Sequence, residues 1–250
     1  MNDLPSHDPN RCRVIGVLDD GVASLGATAL AHLRTADVVI GGARTLALFR
    51  HALKPGTLTH DLTGQLKAVP GWVRAAREAH QSCVVLATGD PLCHGIAPYL
   101  AQHLCLDALE ILPNLSTLQL ACARVGLAWQ DARIVSVHAA DAGEWQRGAP
   151  PSHGLYALAQ ALRAEQRLLL LTSPANCPDR IARLLLAEGL GSDFHMAVAE
   201  DLLQPDEQVH AQLSPTEAAS MRFAELNVVL LWRTRPRPQP VRFGLADSAF

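Results

Sequence analysis

The sequence lacks the features that mark several common protein classes. Its 21 basic residues are outnumbered by 24 acidic ones, and the formal net charge is −3. There is thus no basic excess of the kind that supplies most non-specific affinity for nucleic acid. No apolar run approaches the roughly 20 residues that span a bilayer, and the N-terminus lacks the basic-then-apolar pattern of a secretory signal. The sequence predicts a cytoplasmic protein with no nucleic-acid or membrane partner.

Cysteine and histidine are present, but not in the spacing that metal sites use. The six cysteines lie in apolar segments without a C-x-x-C pair, and no two histidines show an H-x-x-x-H spacing. Zinc ligands usually occur in such pairs. We therefore predict no metal ligands, and thiols that are reduced and buried. No residue lies in a G-x-S-x-G context, so nothing indicates a covalent hydrolase.

Short apolar runs alternate with helical patterns along most of the chain. Runs of strand length occupy residues 14–17, 38–40, 84–87, 109–112, 134–137, 168–171, 196–199 and 228–231. Helical patterns occupy residues 26–34, 73–80, 96–104, 117–125, 155–164 and 179–188. This alternation predicts an α/β fold with mostly parallel sheets flanked by helices. After residue 200, segments 208–213 and 226–232 have no helix between them that is long enough for a parallel crossover, so we expect these last strands to be antiparallel.

Turn residues near 112–116 predict a boundary between two lobes of similar size. A strand ends there at Pro113 and Asn114, before Ser116 or Thr117 can cap the next helix. We assign residues 1–112 to an N-terminal lobe and residues 113–233 to a C-terminal lobe. Residues 234–250 form a tail rich in proline and arginine, which favours an extended linker.

The stretch 86–95 is the most informative part of the sequence. It reads Leu-Ala-Thr-Gly-Asp-Pro-Leu-Cys-His-Gly, an apolar strand that enters a Gly-Asp-Pro turn and then a helix. Open α/β sheets bind ligands at the carboxyl ends of their strands, where glycine lets a ligand approach the backbone. Asp90 has two interpretations at this stage. It either caps the next helix or contacts a ligand.

Other strand ends also carry polar residues. Residues 16–21 read Gly-Val-Leu-Asp-Asp-Gly, and Leu18 replaces the middle glycine of a dinucleotide-binding loop, which disfavours a nicotinamide or flavin fold. This loop is either a polar turn or part of a substrate mouth. His138 is either a hydrogen-bonded structural residue or a proton acceptor. Residues 171–176 repeat the strand-then-turn layout, with Asn176 available to cap the helix that follows.

Taken together, these segments resemble the tetrapyrrole methylase family, and within it the CbiE branch, over nearly the whole chain. The resemblance is carried by the order and spacing of five stretches. They are residues 36–42 with Arg44, 87–95, 113–117, 123–129 and 136–138. It implies two α/β lobes (a class III methyltransferase) with S-adenosyl-L-methionine in the cleft between them and a tetrapyrrole in a trough beside it. The implied activity is C-methylation of a precorrin or cobalt-precorrin at C5 in cobalamin biosynthesis.

The resemblance also implies which residues contact the ligands. Gly89, Asp90 and Pro91 would approach the methionine part of the donor, with Ser116 and Thr117 nearby. Leu171 and Thr172 would contribute from the second lobe toward the adenosine, largely through backbone groups.

Catalysis of this methyl transfer rests mainly on alignment, because the sulfonium is already an activated leaving group. His138, Asp19 and Asp20 are candidates to accept or relay a proton. Arg44 and Arg124 are candidates by type to bind the carboxylates of the substrate. The resemblance also implies a homodimer. Residues 242–250 resemble the linker that leads into a second methyltransferase domain in fused versions, which implies a separate CbiT-like methyltransferase and decarboxylase as partner.

Two departures from the family pattern motivate an alternative function. The family's Gly-x-Gly-Pro-Gly is replaced by residues 16–21 with Leu18 inside, and the His-Gly-Arg of the branch is replaced by His138-Ala139-Ala140. The alternative is a catalytically impaired member that serves as a scaffold for the CbiT-like enzyme. A methylase of the same fold acting on RNA or on a modified histidine is disfavoured by the acidic balance.

Overall fold

Ten strands and eight α-helices make up the part of the chain that the structure describes. The computed structural model describes residues 11–236, apart from the side chain of Leu106. The chain forms two compact units. The first holds the described residues up to Leu120 together with Asp201–Glu207, and the second holds Ala121–Glu200 and the described residues from Gln208 onward. Residues 237–250, most of the predicted tail and linker, lie outside this description.

The sheet of the first unit is entirely parallel. Its strands are β1 (Cys12–Val17), β2 (Val38–Gly41), β3 (Leu58–Asp61), β4 (Cys83–Thr88) and β5 (Leu109–Leu112), in the order β3-β2-β4-β1-β5. The central strands β1 and β4 are covered on both faces, which is why they read as continuous apolar runs. Val14 and Val85 pack on one face, whereas Ile15 and Leu86 pack on the other.

Four helices connect these strands and cover both faces. They are α1 (Ala27–Thr35), α2 (Ala43–Phe49), α3 (Val69–Glu78) and α4 (Ala97–His103), and α5 (Thr117–Val125) follows β5. In α3, Pro70 stands in the first turn, where its missing N–H costs nothing, and Val73 and Ala76 are buried. Since all five strands run the same way, every carboxyl end lies at one edge of the sheet.

The sheet of the second unit is mixed. Its strands are β6 (Arg133–Ser136), β7 (Arg167–Leu171), β8 (Phe194–Glu200), β9 (Gln208–Leu213) and β10 (Asn227–Arg233), in the order β6-β7-β10-β8-β9. Only β6 and β7 pair in parallel, and the other neighbours are antiparallel. The helices are α6 (Tyr156–Ala164), α7 (Pro178–Ala187) and α8 (Pro215–Ala218), and Leu158, Leu162 and Ile181 are fully buried in its core.

The predicted two-lobed α/β class and its antiparallel C-terminal strands are confirmed. The second sheet, however, is mixed where we expected it to be mostly parallel, because β10 inserts between β7 and β8 at the centre of the sheet. The sequence patterns did not predict β3, α2 or α8.

The expectation that every thiol is buried is wrong for Cys105, which is exposed. Among residues 11–236, no helix is both long and apolar enough to span a membrane.

Candidate functional site

The carboxyl ends of β1, β4 and β5 meet in the first unit, and backbone atoms form the meeting point. Gly89 N donates to Val17 O at 2.8 Å. A Cβ added at Gly16 would lie 2.4 Å from Gly89 O and 2.7 Å from Asn114 N, so only glycine fits at this position. Ligand sites in open α/β sheets lie at such an edge, where amides and carbonyls are within reach.

The loop after β4 contains Gly89, Asp90 and Pro91, which we predicted as ligand contacts. Gly89 has a φ of +71°, a conformation that glycine adopts readily, and Pro91 is buried. Asp90 Oδ1 accepts a hydrogen bond from Leu92 N at 2.9 Å, which closes a tight turn directly after the strand. Because α4 begins only at Ala97, Asp90 does not cap that helix. Asp90 therefore has a structural role in this turn, and contact of its carboxylate with a ligand stays a prediction.

The thiol in the same loop is unsuited to nucleophilic chemistry. Burial, and after it the charge of Asp90, raise the pKa of Cys93. A thiol with a raised pKa is protonated at neutral pH, and only the thiolate is a strong nucleophile. The loop therefore offers backbone groups and one carboxylate to a ligand.

The segment after β5 places Ser116 and Thr117 beside this loop. A Cβ at Gly89 would lie 3.5 Å from Ser116 Cα and 3.7 Å from Thr117 N. Gln119 N donates to Ser116 Oγ at 3.2 Å, and Ser116 N donates to Gln119 Oε1 at 2.9 Å. This reciprocal pair caps α5, as predicted for Ser116. The hydroxyl and the N–H of Ser116 therefore serve the helix, and its carbonyl, which accepts from Leu120 N at 3.1 Å, keeps one lone pair for a ligand.

Asp19 and Arg44, which we singled out from separate segments, form an ion pair. Arg44 stands in the first turn of α2, and its Nη1 lies 2.8 Å from Asp19 Oδ1. The Arg44 side chain is 50% exposed, and Asp20 is exposed as well. Leu18 is only 6% exposed, so its side chain is not presented to a ligand at the surface. Arg124, the other predicted cation, lies exposed on the part of α5 that belongs to the second unit.

In the second unit, β6 and β7 end side by side, which brings His138 close to Leu171. Val137 N donates to Leu171 O at 2.9 Å. The His138 ring is exposed, and its Nδ1 lies 3.0 Å from Ser136 Oγ. A histidine so placed can exchange protons with solvent, because its ring reaches the surface.

Thr172 follows β7 and is only 7% exposed. Its Oγ1 lies 2.7 Å from both the O and the Oδ1 atoms of Asn227. A hydroxyl has one proton to donate, and these two acceptors from β10 already compete for it. The hydroxyl of Thr172 therefore has no proton to donate to a ligand, and the expected backbone contacts of Leu171 and Thr172 with the adenosine stay a prediction.

The prediction that Asn176 caps α7 is wrong. The residue before that helix is Cys177, and the Asn176 side chain, which is 2% exposed, points elsewhere. Its Nδ2 donates to Val137 O at 2.8 Å and to Ala139 O at 3.4 Å. Buried carbonyls need such partners, so Asn176 fixes the backbone on either side of His138.

Sequence reasoning missed a buried carboxylate at the end of β8. Glu200 is 6% exposed and accepts hydrogen bonds from Ala224 N and, at 2.9 Å, from His210 Nε2. A glutamate at a strand end resembles an ordinary surface residue in a sequence, so no local signal pointed to it.

Within residues 11–236, no three His, Cys, Asp or Glu side chains are grouped so that they could hold a metal ion.

Comparison with known proteins identifies the family. The family model described as Tetrapyrrole (Corrin/Porphyrin) Methylases matches residues 12–215. The cobalt-precorrin-7 C(5)-methyltransferase of Salmonella typhimurium is 29% identical over 218 residues, which cover 87% of this chain and 96% of that protein. The precorrin-6Y C(5,15)-methyltransferase [decarboxylating] of Sinorhizobium sp is 34% identical over 201 residues, which cover 80% of this chain but 44% of that protein.

Solved structures share the fold. Uroporphyrin-III C-methyl transferase from Thermus thermophilus, complexed with S-adenyl homocysteine, superposes with a TM-score of 0.62 at 23% identity and covers 89% of this chain and 97% of that one. At this identity, the likeness concerns the architecture of the chain.

Proposed function

The chain belongs to the family of tetrapyrrole (corrin/porphyrin) methylases, and from this premise we propose that it transfers a methyl group from S-adenosylmethionine to C5 of a precorrin or cobalt-precorrin in cobalamin biosynthesis. The names of the Salmonella and Sinorhizobium relatives support this reaction. The main observation behind the proposal is that Gly16, Gly89 and Asn114 lie close together at the carboxyl edge of the first sheet. This arrangement leaves backbone groups and the Asp90 carboxylate at that edge.

The residues at this edge fit the methyl donor. When bound, S-adenosylmethionine supplies a methyl group on a positively charged sulfur, next to a methionine ammonium. The Asp90 carboxylate is half-buried and complements positive charge. One of its oxygens accepts from Leu92 N, and the second can accept N–H bonds from the methionine part. Gly89 adds no side chain to the wall, and buried Pro91 fixes its shape.

Backbone groups would complete donor binding. The hydroxyl protons of Ser116 and Thr172 are engaged with Gln119 and Asn227 respectively, and the Ser116 N–H is bonded to Gln119 as well. We therefore assign donor contact to the Ser116 carbonyl, which has a second lone pair, and to the main-chain atoms of Thr117, Leu171 and Thr172. Recognition through the main chain suits a nucleoside that presents several donors and acceptors to a loop.

Alignment accounts for most of the expected rate. Correct placement of two reacting groups contributes on the order of 7–11 kcal/mol, whereas one general base contributes roughly a hundred- to ten-thousand-fold. Methyl transfer from a sulfonium would leave S-adenosylhomocysteine and place the positive charge on the macrocycle, which must then lose a proton. His138, with its exposed ring, is our first candidate acceptor, and Asp20 is an exposed alternative. Asp19 is committed to Arg44, which favours an orienting role for it.

Arginine is suited to the carboxylate-rich substrate that the family implies. A guanidinium has five N–H donors in a planar fork, so Arg44 can keep its bond to Asp19 and still bind a carboxylate with its remaining donors. Its 50% exposure leaves it accessible. Arg124 is exposed too, and we propose it as a second carboxylate partner.

We further propose a cytoplasmic homodimer that works beside a CbiT-like methyltransferase and decarboxylase. The relative named for C(5) alone matches over 96% of its length, whereas the relative named for C(5,15) and decarboxylation matches over 44%. This contrast supports C5 transfer as the reaction of this chain. The scaffold alternative was motivated by Leu18 and by Ala139-Ala140. At 6% exposure Leu18 is withdrawn from the loop surface, so of these two departures only Ala139-Ala140 still favours a scaffold.

The test is a methyl-transfer assay with isotopically labelled S-adenosylmethionine and a corrinoid precursor that lacks the C5 methyl group, offered with and without cobalt. We expect one labelled methyl group per macrocycle, at C5 by NMR, and the preferred form of the substrate identifies the pathway. Asp90→Ala should abolish most of the transfer. A labelled methyl group at another ring position, or none in the presence of confirmed donor binding, would overturn the proposal.

A further inference from the structure

The side chain of Asn114 connects two strand-end loops of the first unit. Its Nδ2 donates to Gly16 O at 3.2 Å and to Ser24 O at 3.1 Å, and its Oδ1 accepts from Leu115 N at 2.8 Å. A primary amide has two N–H donors and one carbonyl acceptor, so every polar group of this side chain is used. The residue is half-buried, where loss of these bonds has a cost.

These two carbonyls lie at the two ends of the loop between β1 and α1. Within the loop, Gly21 N donates to Leu18 O at 3.2 Å and Ser24 Oγ donates to Gly21 O at 2.8 Å. Those bonds shape the loop locally but attach it to nothing else. The Asn114 amide reaches it from the far end of β5, 98 residues away in sequence from Gly16, and holds both ends against the sheet edge.

The braced loop carries Asp19, whose partner is Arg44. Both loop ends are fixed by Asn114, and Asp19 lies between them. The position of the Asp19 carboxylate therefore depends on the brace, and through the 2.8 Å ion pair so does the direction of the Arg44 guanidinium. We propose that Asn114 is a positioning residue for the substrate: it holds the β1–α1 loop so that Asp19 orients Arg44 toward a carboxylate of the macrocycle. This inference rests on the proposed function.

The donor loop is held by other bonds. Asp90 is fixed by Leu92 N, and Ser116 is fixed by Gln119. Neither set involves the Asn114 amide, and Asn114→Ala keeps the main-chain N and the Cβ atom that meet Gly16 at the edge of the sheet. Removal of that amide should therefore weaken binding of the macrocycle and leave binding of the donor unchanged.

The experiment compares Asn114→Ala, Asn114→Asp, Arg44→Ala and the Asn114→Ala/Arg44→Ala double variant. For each, KM for the corrinoid substrate, kcat, and the Kd for S-adenosylhomocysteine are measured. We expect Asn114→Ala to raise KM about tenfold with kcat and Kd within about twofold, since three hydrogen bonds are lost, two of them to Gly16 O and Ser24 O. Asn114→Asp should be at least as impaired, because a carboxylate cannot donate to the two carbonyls. In the Arg44→Ala background, Asn114→Ala should change KM by less than about twofold, since residues that act through one another are not additive.

Ser24→Ala is the matched control. It removes the local bond to Gly21 O but keeps the Ser24 carbonyl that Asn114 binds, so KM should stay within about twofold of the native value. Hydrogen–deuterium exchange of the peptide that covers the loop should be faster in Asn114→Ala than in Ser24→Ala, which reports the brace without reference to activity.

Three results would overturn the inference. One is additive effects of Asn114→Ala and Arg44→Ala on KM. Another is an equal loss of donor affinity in Asn114→Ala, and the third is an equal rise of KM in Ser24→Ala. Failure of the proposed function is distinguishable, because native protein would then methylate no corrinoid although exchange still showed the loop braced by Asn114.

Discussion

The Arg44 guanidinium lies 2.8 Å from the Asp19 carboxylate, and the two residues come from different strand-end segments of the first unit. The pair bears on two possible roles of Asp19, which are proton transfer and orientation of Arg44. A carboxylate that transfers a proton must reach the reacting carbon, whereas one that orients an arginine acts on substrate binding.

Asp19→Asn tests this choice. The substitution keeps the shape of the side chain and removes its charge, so we expect a rise of about threefold in KM for the corrinoid substrate with little change in kcat. Arg44→Ala should raise KM more, because it removes the carboxylate ligand itself. Steady-state kinetics of both variants distinguish the roles. A fall in kcat of about a hundredfold or more in Asp19→Asn would instead identify a proton acceptor.

Gly16→Ala should disrupt the meeting point of β1, β4 and β5. The added Cβ would lie 2.4 Å from Gly89 O, and because that neighbour is backbone, both loops must move. We expect a loss of about 1–3 kcal/mol in the free energy of unfolding and weaker binding of S-adenosylhomocysteine. Gly71→Ala is the control, since a Cβ there meets nothing within 4 Å. Native-like donor binding by Gly16→Ala would contradict the assignment of this edge as the donor site.

Asn176→Asp should destabilise the second unit. The buried amide donates to the carbonyls of Val137 and Ala139, and a carboxylate at the same place has no proton to donate. We expect a loss of about 1–3 kcal/mol in urea denaturation. Gln130→Glu, the same chemical change at an exposed position of this unit, should leave stability unchanged. Equal stability of the two variants would show that the 137–139 segment does not depend on Asn176.

Asp37 should make stability depend on pH. Its hydrogen bond from Lys54, and then those from the Ser82 hydroxyl and amide, lower the pKa of Asp37 far below its usual range. A carboxyl with a lowered folded-state pKa stabilises the fold above its unfolded pKa of about 3.9, and this contribution is lost as the pH falls toward the folded value.

Urea denaturation at several pH values measures this effect. Asp37→Asn should be less stable than the native protein at pH 7, and the difference should shrink as the pH falls below about 5. Asp107→Asn, at an exposed carboxylate, should show no such trend. A gap between Asp37→Asn and the native protein that stays constant as the pH falls from about 4 to about 2 would refute the linkage.

Much of the fold was predictable because burial and turn chemistry are local signals. The central strands β1 and β4 are apolar on both faces, and Gly89 with Pro91 marks the end of β4 as a turn. β3 was not predictable, because Leu58–Asp61 lies at the sheet edge with mostly exposed side chains and so lacks the apolar run of a buried strand. The insertion of β10 between β7 and β8 was not predictable either, because local sequence patterns do not indicate the order of strands in a sheet.

The candidate site was predictable in its backbone and less so in its side chains. Gly89 and Asp90 follow from the layout of strand and turn. Asn114 and Asn176 read as ordinary turn residues, yet each donates to carbonyls tens of residues away in sequence. Such bonds depend on packing between segments, so their partners are absent from any local window. The pairing of Asp19 with Arg44 is of the same kind.

The most direct test of the account is calorimetric titration of the native protein with S-adenosylhomocysteine, beside Asp90→Ala and the control Asp107→Asn. We predict micromolar binding by the native protein and by the control, and binding at least about tenfold weaker in Asp90→Ala, because a charge-assisted contact to the methionine part is lost. Absence of binding by the native protein would contradict the assignment of a working methyl-donor site and favour a scaffold. Unchanged affinity in Asp90→Ala would place the donor elsewhere than the loop after β4.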